Sequence, residues 1–285
     1  MRGLKERILG CLCLLFLWVV LSAAADPVTV RATQVIDGDT VVVSDGRTVR
    51  YLGINTPEKG HPFAEAAARL NRKLVLGKEI RLVPDKKEKD GYGRTLAYVY
   101  VGEEMVNTRL LAEGLAHVFV IGSLSHYWDF LRIQREARNQ AKGIWGQGGF
   151  PGPLKITSLH ADAKGDDQTN LNGEYVRICN ISSERVTLKG FSLEDEYAHR
   201  VGRSINRRGS PHRYVFPDVF LEPGYTLLLL TGRGRDITRG GRDLVLHWRS
   251  AHPIWNNDRE TAYLLDPQGN VIDSFPYTGK EHSRE

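Results

Sequence analysis

The 285 residues, 41% hydrophobic and 26% charged, exceed one typical domain and carry too much apolar material for a disordered chain, so two folded domains are the expectation. A formal net charge of +5 is compatible with a polyanionic partner but identifies none. Three cysteines, at positions 11, 13 and 179, exclude a small disulfide-stapled scaffold.

Residues 1–25 read as a signal peptide. Arg2, Lys5 and Arg7 make a basic start, Ile8 to Val20 carries no charge, and LSAAA supplies small residues for cleavage near Ala25. A secreted or envelope-facing protein is therefore expected. The competing reading is an uncleaved anchor, because Ile8 to Ala25 is just long enough to span a membrane. Cleavage would remove Cys11 and Cys13, leave no stable membrane span, and make Cys179 the single mature cysteine. That residue is either a small apolar strand residue or a surface thiol able to cross-link two chains.

Residues 26–147 form the first expected domain. Val28 to Ile36, Thr40 to Ser44, Thr48 to Ile54, Lys78 to Val83 and Thr95 to Val101 alternate or run apolar with β-branched residues, as five short strands should. Phe63, Ala67, Leu70 and Leu74 recur at helical spacing after Pro62. Val106, Leu110, Leu115 and Val118 mark a second helix, and Tyr127, Phe130, Ala137, Ala141 and Ile144 a third. By pattern alone this is a small α+β barrel. Trp128 and Trp145 are expected in packing positions.

The stretch densest in chemistry is Val35 to Glu58, VIDGDTVVVSDGRTVRYLGINTPE, which gathers Asp37, Asp39, Arg50, Asn55 and Glu58 on short strands. A phosphodiester is already anionic and gains charge at its transition state, so cleaving it requires cations to absorb charge and a base to ready water. Asp39 and Asn55 are oxygen ligands suited to a hard cation such as Ca²⁺ or Mg²⁺. Arg50 offers a planar fork of donors matched to phosphate, and Glu58 is the candidate base. The same residues also fit two acidic turns, DGD and SDG, bracketing an ordinary hairpin. A second segment, KDGYGRTLAYVYV at 89–101, sets Arg94 directly before an apolar strand as a second guanidinium. Lys86, Lys87 and Lys89 are either a guide for a nucleic-acid strand or a solvated loop.

DGDT, RYLGINTPE and DGYGRTLAYVY, in that order and spacing, resemble the staphylococcal-nuclease-like (thermonuclease) family over about residues 26–150. The resemblance implies an OB-type five-stranded β-barrel with three helices and catalytic roles for Arg50, Glu58 and Arg94. It further implies Ca²⁺ bound by Asp39, position 55 and the backbone carbonyl of Thr56. Substrates would be DNA and RNA, preferably unpaired, with 3′-phosphate products. The family usually has aspartate where this chain has Asn55, so the site holds one less negative charge and weaker metal affinity is expected. The family's two substrate-facing tyrosines match His117 and Phe119, which could stack on a base without supplying both hydroxyls.

GQGGFPGP marks a linker, placed at residues 148–153. From 154 to 285 the helical period gives way to apolar alternation. Strands are expected at Leu154–Leu159, Tyr175–Asn180, Val186–Leu193, Tyr214–Phe216, Thr226–Leu230, Leu244–Trp248, Ala262–Leu265 and Val271–Phe275, an all-β sandwich pattern. NGEYVRICN, LKGFSLEDE, YVFPDVFLEPGYTLLLLTG and IWNNDRETAYLLDPQGNVIDSF resemble the lamin tail domain, an Ig-like module. That resemblance implies binding or positioning and no catalytic residues. A loop between Asp195 and Tyr214 carries Arg200, Arg203, Arg207, Arg208 and Arg213, either a tether for a polyanion or a plain flexible loop.

The expectation is thus an exported nuclease that hydrolyses phosphodiester bonds with Ca²⁺, its C-terminal module making envelope contact or positioning the enzyme. The alternatives are a nucleic-acid-binding module whose cleavage Asn55 weakens, and an envelope scaffold led by the second domain.

Overall fold

The computed structural model describes residues 27–201 and 212–279. Residues 1–25, expected from the sequence to be a leader, lie with Cys11 and Cys13 outside the described residues, as do Arg203, Arg207 and Arg208 of the arginine-rich loop.

Strands β1 (Val28–Val35), β2 (Thr40–Val43) and β3 (Thr48–Tyr51) form an antiparallel meander. The two-residue β4 (Ile54–Asn55) follows, then α1 (Ala64–Val75), β5 (Glu79–Val83) and β6 (Thr95–Val101). Strand β5 joins β1 to β6, and β6 returns to pair with β3 in parallel, which closes a five-stranded barrel. Helix α1 ends where Gly77 adopts φ 74°, a left-handed conformation that glycine adopts without a Cβ clash. Strand β7 (Glu104–Met105), α2 (Val106–Ala112), β8 (His117–Val118) and α3 (Tyr127–Asn139) complete the unit. The third helix is shorter than its apolar period suggests. Ala141 turns to φ 49°, and Ile144 falls in a separate 3₁₀ turn, Gly143–Trp145.

The second unit begins at β9 (Leu154–His160) and continues through β10 (Tyr175–Asn180), β11 (Val186–Thr187), β12 (Ser192–Glu194) and α4 (Glu196–Val201). It closes with β13 (Arg213–Val215), β14 (Phe220–Leu221), β15 (Thr226–Leu230), β16 (Leu244–His247), β17 (Arg259–Leu265) and β18 (Val271–Thr278). Two four-stranded sheets, β16-β15-β10-β9 and β13-β12-β17-β18, enclose a core that includes Ile156, Ile178, Leu227, Leu193 and Leu264. The expected strand Val186–Leu193 is in fact two strands in different sheets, broken at Gly190 with φ 86°.

The two units are bonded to one another. Val120 N donates to Gly224 O (2.8 Å), Tyr127 Oη to Pro223 O (2.9 Å) and Arg138 Nη1 to Ile181 O (2.8 Å). The join is packed rather than loose, because a Cβ added at Gly152 would meet Ile272 at 2.8 Å. Buried apolar residues of both units make one contiguous cluster. Among the described residues no helix is long and apolar enough to cross a membrane.

Candidate active site

The β1–β2 turn is built on the DGD sequence. Asp39 N donates to Asp37 Oδ1 (2.9 Å), an Asx turn that short carboxylates favour. A Cβ at Gly38 would meet Ala67 and the Thr56 side chain at 2.7 Å, so glycine lets the turn sit against α1 and the strand that follows β4. Asn71, fully buried on the inner face of α1, donates from Nδ2 to Asp37 O (2.9 Å) and accepts from Tyr51 Oη (2.8 Å). This brace is visible in the sequence only as a polar residue one turn beyond Ala67 on an otherwise apolar helix face.

Asp39, Arg50, Asn55 and Thr56 meet inside this frame, none more than 8% exposed. Asp39 Oδ1 lies 3.1 Å from Arg50 Nε and accepts from Thr40 Oγ1 (3.2 Å). Its Oδ2 accepts from Thr56 N (2.7 Å) and Thr56 Oγ1 (3.0 Å). Arg50 donates from Nη1 to Tyr51 O and Ile54 O, both at 2.8 Å, and from Nη2 to Asn55 Oδ1 at 2.6 Å. Three of the five N–H donors in this guanidinium are thereby hydrogen-bonded, and Nε lies at ion-pair distance from Asp39.

Arg94 is held differently. Its Nε donates to Asp90 Oδ2 (2.7 Å), its backbone N to Asp90 Oδ1 (3.0 Å), and its guanidinium lies 5.3 Å from the centre of the Tyr92 ring. Among the described residues its two Nη groups make no hydrogen bond, so a full planar fork is presented. The parallel register sets Arg50 opposite Leu96, which places Arg94 at the same barrel edge. Glu58, in the loop after β4, lines the cleft that Asp39, Arg50, Asn55 and Arg94 also line, a space of about 2550 Å³. Lys87 lines it too, while Lys86 and Lys89 point to solvent.

Burial first, then the neighbouring Asp39 carboxylate, push the Asp37 carboxyl up to about 7, with Arg50 opposing and Glu58 adding to the rise. The donors around the turn are oxygens only: carboxylates, the Asn55 amide and backbone carbonyls. That chemistry fits a hard divalent cation. Among the described residues no group of three or more His, Cys, Asp or Glu is arranged as a metal cage, so carbonyl, amide or water oxygens would have to complete the shell.

Several sequence expectations are corrected. His117 does not face substrate. It is fully buried, its Nδ1–H donates to Val118 O (2.9 Å), and burial pulls its pKa down to about 3. The reason is β8, which pairs Asn55 with His117 and turns the ring toward Cys179 of the second unit, 4.0 Å from Nδ1. Phe119 does line the cleft. Cys179 is completely buried, and desolvation drives its thiol pKa upward, so it is no cross-linking residue. Trp145 packs as expected beneath Arg138, but Trp128 is 74% exposed. Arg213 is drawn into an ion pair with Glu194 (3.5 Å) rather than left for a polyanion.

Comparison with known proteins matches residues 48–147 to the staphylococcal nuclease homologue family and residues 150–279 to the lamin tail domain. The thermonuclease of Staphylococcus hyicus is 37% identical over 131 residues, 42% of this chain and 78% of that protein. The thermonuclease of Staphylococcus intermedius is 38% identical over 122 residues, 39% of this chain and 73% of its own length. Endonuclease YncB of Bacillus subtilis strain 168 is 39% identical over 135 residues, covering 43% of this chain and 64% of that protein. With its closed five-stranded barrel and this similarity, the chain belongs to the staphylococcal nuclease homologue family, a nuclease with a lamin tail domain behind its barrel.

Proposed function

We propose that this nuclease hydrolyses phosphodiester bonds of DNA or RNA by direct attack of water, with Arg50, Glu58 and Arg94 as catalytic residues. The observation that carries the reading is the pairing of two unlike guanidiniums at one barrel edge. Arg50 is locked by three hydrogen bonds and its ion pair with Asp39, whereas among the described residues the two Nη groups of Arg94 make no hydrogen bond. A preorganised donor need not reorganise as charge develops, so Arg50 is suited to the phosphoryl oxygen that gains charge. Arg94 is suited to grip two oxygens of the same phosphate at once. Glu58 takes the proton of the attacking water, and in-line geometry leaves the departing oxygen on the opposite side.

Ca²⁺ is the proposed cofactor, held by Asp39, Asn55 and the Thr56 carbonyl. When bound it supplies positive charge to the phosphate and relieves the carboxylate crowding at Asp37. Unpaired strands are the proposed preference, because both guanidiniums and Phe119 line a cleft able to take a backbone with its bases turned out. Export is also proposed, supported by the basic start and apolar run of residues 1–25.

The test is cleavage of single-stranded DNA by the full chain, with Ca²⁺ and with chelator, beside Arg50→Ala and Glu58→Gln. Loss of either group should lower kcat by on the order of 10²-fold or more. Cleavage that both variants retain would overturn the assignment.

A further inference from the structure

The cleft that holds Arg50 and Arg94 has a second wall, and that wall comes from the lamin tail domain. Residues alternate across β9 and β10, so Val176 and Ile178 face the sandwich core while Tyr175, Arg177 and Cys179 face outward. An outward sheet face ordinarily meets water. Here its Cys179 end is pressed against Val118 of the nuclease domain, and its Tyr175 and Arg177 end opens into the cleft. Cross-strand register sets His160 opposite Tyr175 and Ser158 opposite Arg177, and all four line the same space.

The side chains on this wall are those that hold an unpaired strand. The His160 and Tyr175 rings stack with centroids 5.0 Å apart and planes 7° from parallel. Tyr175 Oη reaches Tyr92 Oη across the cleft at 3.4 Å, which joins the pair to the ring beside Arg94. The cations of the cleft are not equivalent. Of the four arginines that line the cleft, Arg47 is paired with Asp45, Arg50 with Asp39 and Arg94 with Asp90. Arg177 donates from Nη1 only to the neutral Thr226 Oγ1 (3.1 Å), and among the described residues no carboxylate lies within ion-pairing distance of it. Burial lowers the Arg177 pKa, and the one carboxylate that opposes this, Asp243, has its Oδ2 engaged by Gly122 N at 2.8 Å. A half-buried guanidinium without a counter-ion, facing a cleft that takes a phosphodiester, is a site for a further phosphate.

We propose that the outward face of β9 and β10 is a nucleic-acid subsite, in which Arg177 takes a backbone phosphate remote from the scissile one and the His160–Tyr175 pair stacks on an unpaired base. The proposal rests on the nuclease reading given above and extends it: the second domain is part of the substrate groove and favours strands long enough to reach from Arg94 to Arg177. Stacking rings of this kind accept any base, so the subsite selects for single-strandedness and length rather than sequence.

The experiment uses the full chain with thymidylate oligomers of about three and about twelve nucleotides, the longer one within the ~4–16 nucleotides that one groove covers. Arg177→Gln should raise KM for the long oligomer about ten times as much as for the short one, and Arg177→Lys should recover most of the difference. In a Glu58→Gln background, the dependence of long-strand affinity on salt should fall by a slope of about 0.7 for the one phosphate contact removed. Equal changes on both lengths, or none, would overturn the proposal. Should Arg177→Gln unfold, Tyr175→Leu decides the matter by the same ratio, since it leaves the guanidinium in place. Arg50→Ala separates the two readings. If it still cuts both oligomers, the nuclease site is misassigned whatever Arg177 does. If it cuts neither while Arg177→Gln shows no length effect, the subsite alone fails.

Discussion

Asn55 Oδ1 accepts a 2.6 Å hydrogen bond from Arg50 Nη2, so a proposed metal ligand and a proposed catalytic cation are bound directly to each other. The amide therefore fixes the guanidinium while contributing no charge of its own.

That pairing makes Asn55→Asp informative. The carboxylate keeps the acceptor for Arg50 and restores a negative charge to the cation site, so the Ca²⁺ concentration for half-maximal activity should fall about tenfold. Calcium titration of cleavage and of heat release on binding would measure it. An unchanged midpoint would show that position 55 does not contact the metal.

Arg94→Lys tests the fork. Lysine keeps the charge but cannot present two parallel N–H donors, and it loses the Nε contact that anchors Arg94 to Asp90. The expected result is a loss in kcat/KM of on the order of 10²-fold, with thermal stability little altered because the ion pair is partly exposed.

Asn71→Ala should be costly without touching substrate. It strips the Asp37 carbonyl and the Tyr51 hydroxyl of buried partners, at about 2–4 kcal/mol of stability, measured by urea unfolding. Activity should fall as well, because the DGD turn loses its brace.

His117 gives a pH prediction with a definite sign. Its folded pKa of about 3 lies well below the ordinary value near 6.5, so the unfolded chain binds a proton that the folded chain refuses. Stability from this group is complete above about pH 6.5 and is lost progressively as pH falls toward 3. Glu174 acts oppositely: burial raises it to about 7, so it favours the folded state at acid pH and loses that contribution as pH rises to 7. The comparison that isolates His117 is the change in Tm from pH 7 to pH 5 in the wild type and in His117→Gln, with the raised Glu174 and Asp37 common to both. Acidification should be less unfavourable to the variant than to the wild type.

What the sequence shows and what it hides divide along physical lines. The barrel strands are legible because their apolar and β-branched residues keep a period of two. The candidate site is legible as a resemblance, because DGDT, RYLGINTPE and DGYGR keep the family's order and spacing in the turns and strands of one barrel edge. Gly190 hides inside a run that reads as one strand, since the turn it makes depends on its positive φ and not on a drop in hydrophobicity. Helix α4 is hidden because its few residues, EYAHRV, span too little chain for an apolar period to repeat. His117 reads as an aromatic near the active centre, and only the second unit, 62 residues further on at Cys179, shows why it is buried. Arg177 reads as one strand arginine among many, and the lack of a carboxylate partner for it among the described residues is a property of the assembled cleft. Trp128 sits at a helical position whose burial depends on which neighbour covers that face, and beyond an edge contact with Tyr127 it is left exposed.

The single apolar cluster running through both units, together with the Val120–Gly224 backbone bond, makes the family boundary near residue 150 something other than a boundary of cooperativity. Heat or denaturant should melt the barrel and the sandwich in one transition, with calorimetric and van't Hoff enthalpies that agree for the whole chain. Truncation after residue 150 would then yield a barrel with a bare apolar flank at Val118 and Val120, where Gly224 and Tyr225 now sit. A chain assembled from two recognisable modules would in that case behave, thermodynamically, as one molecule.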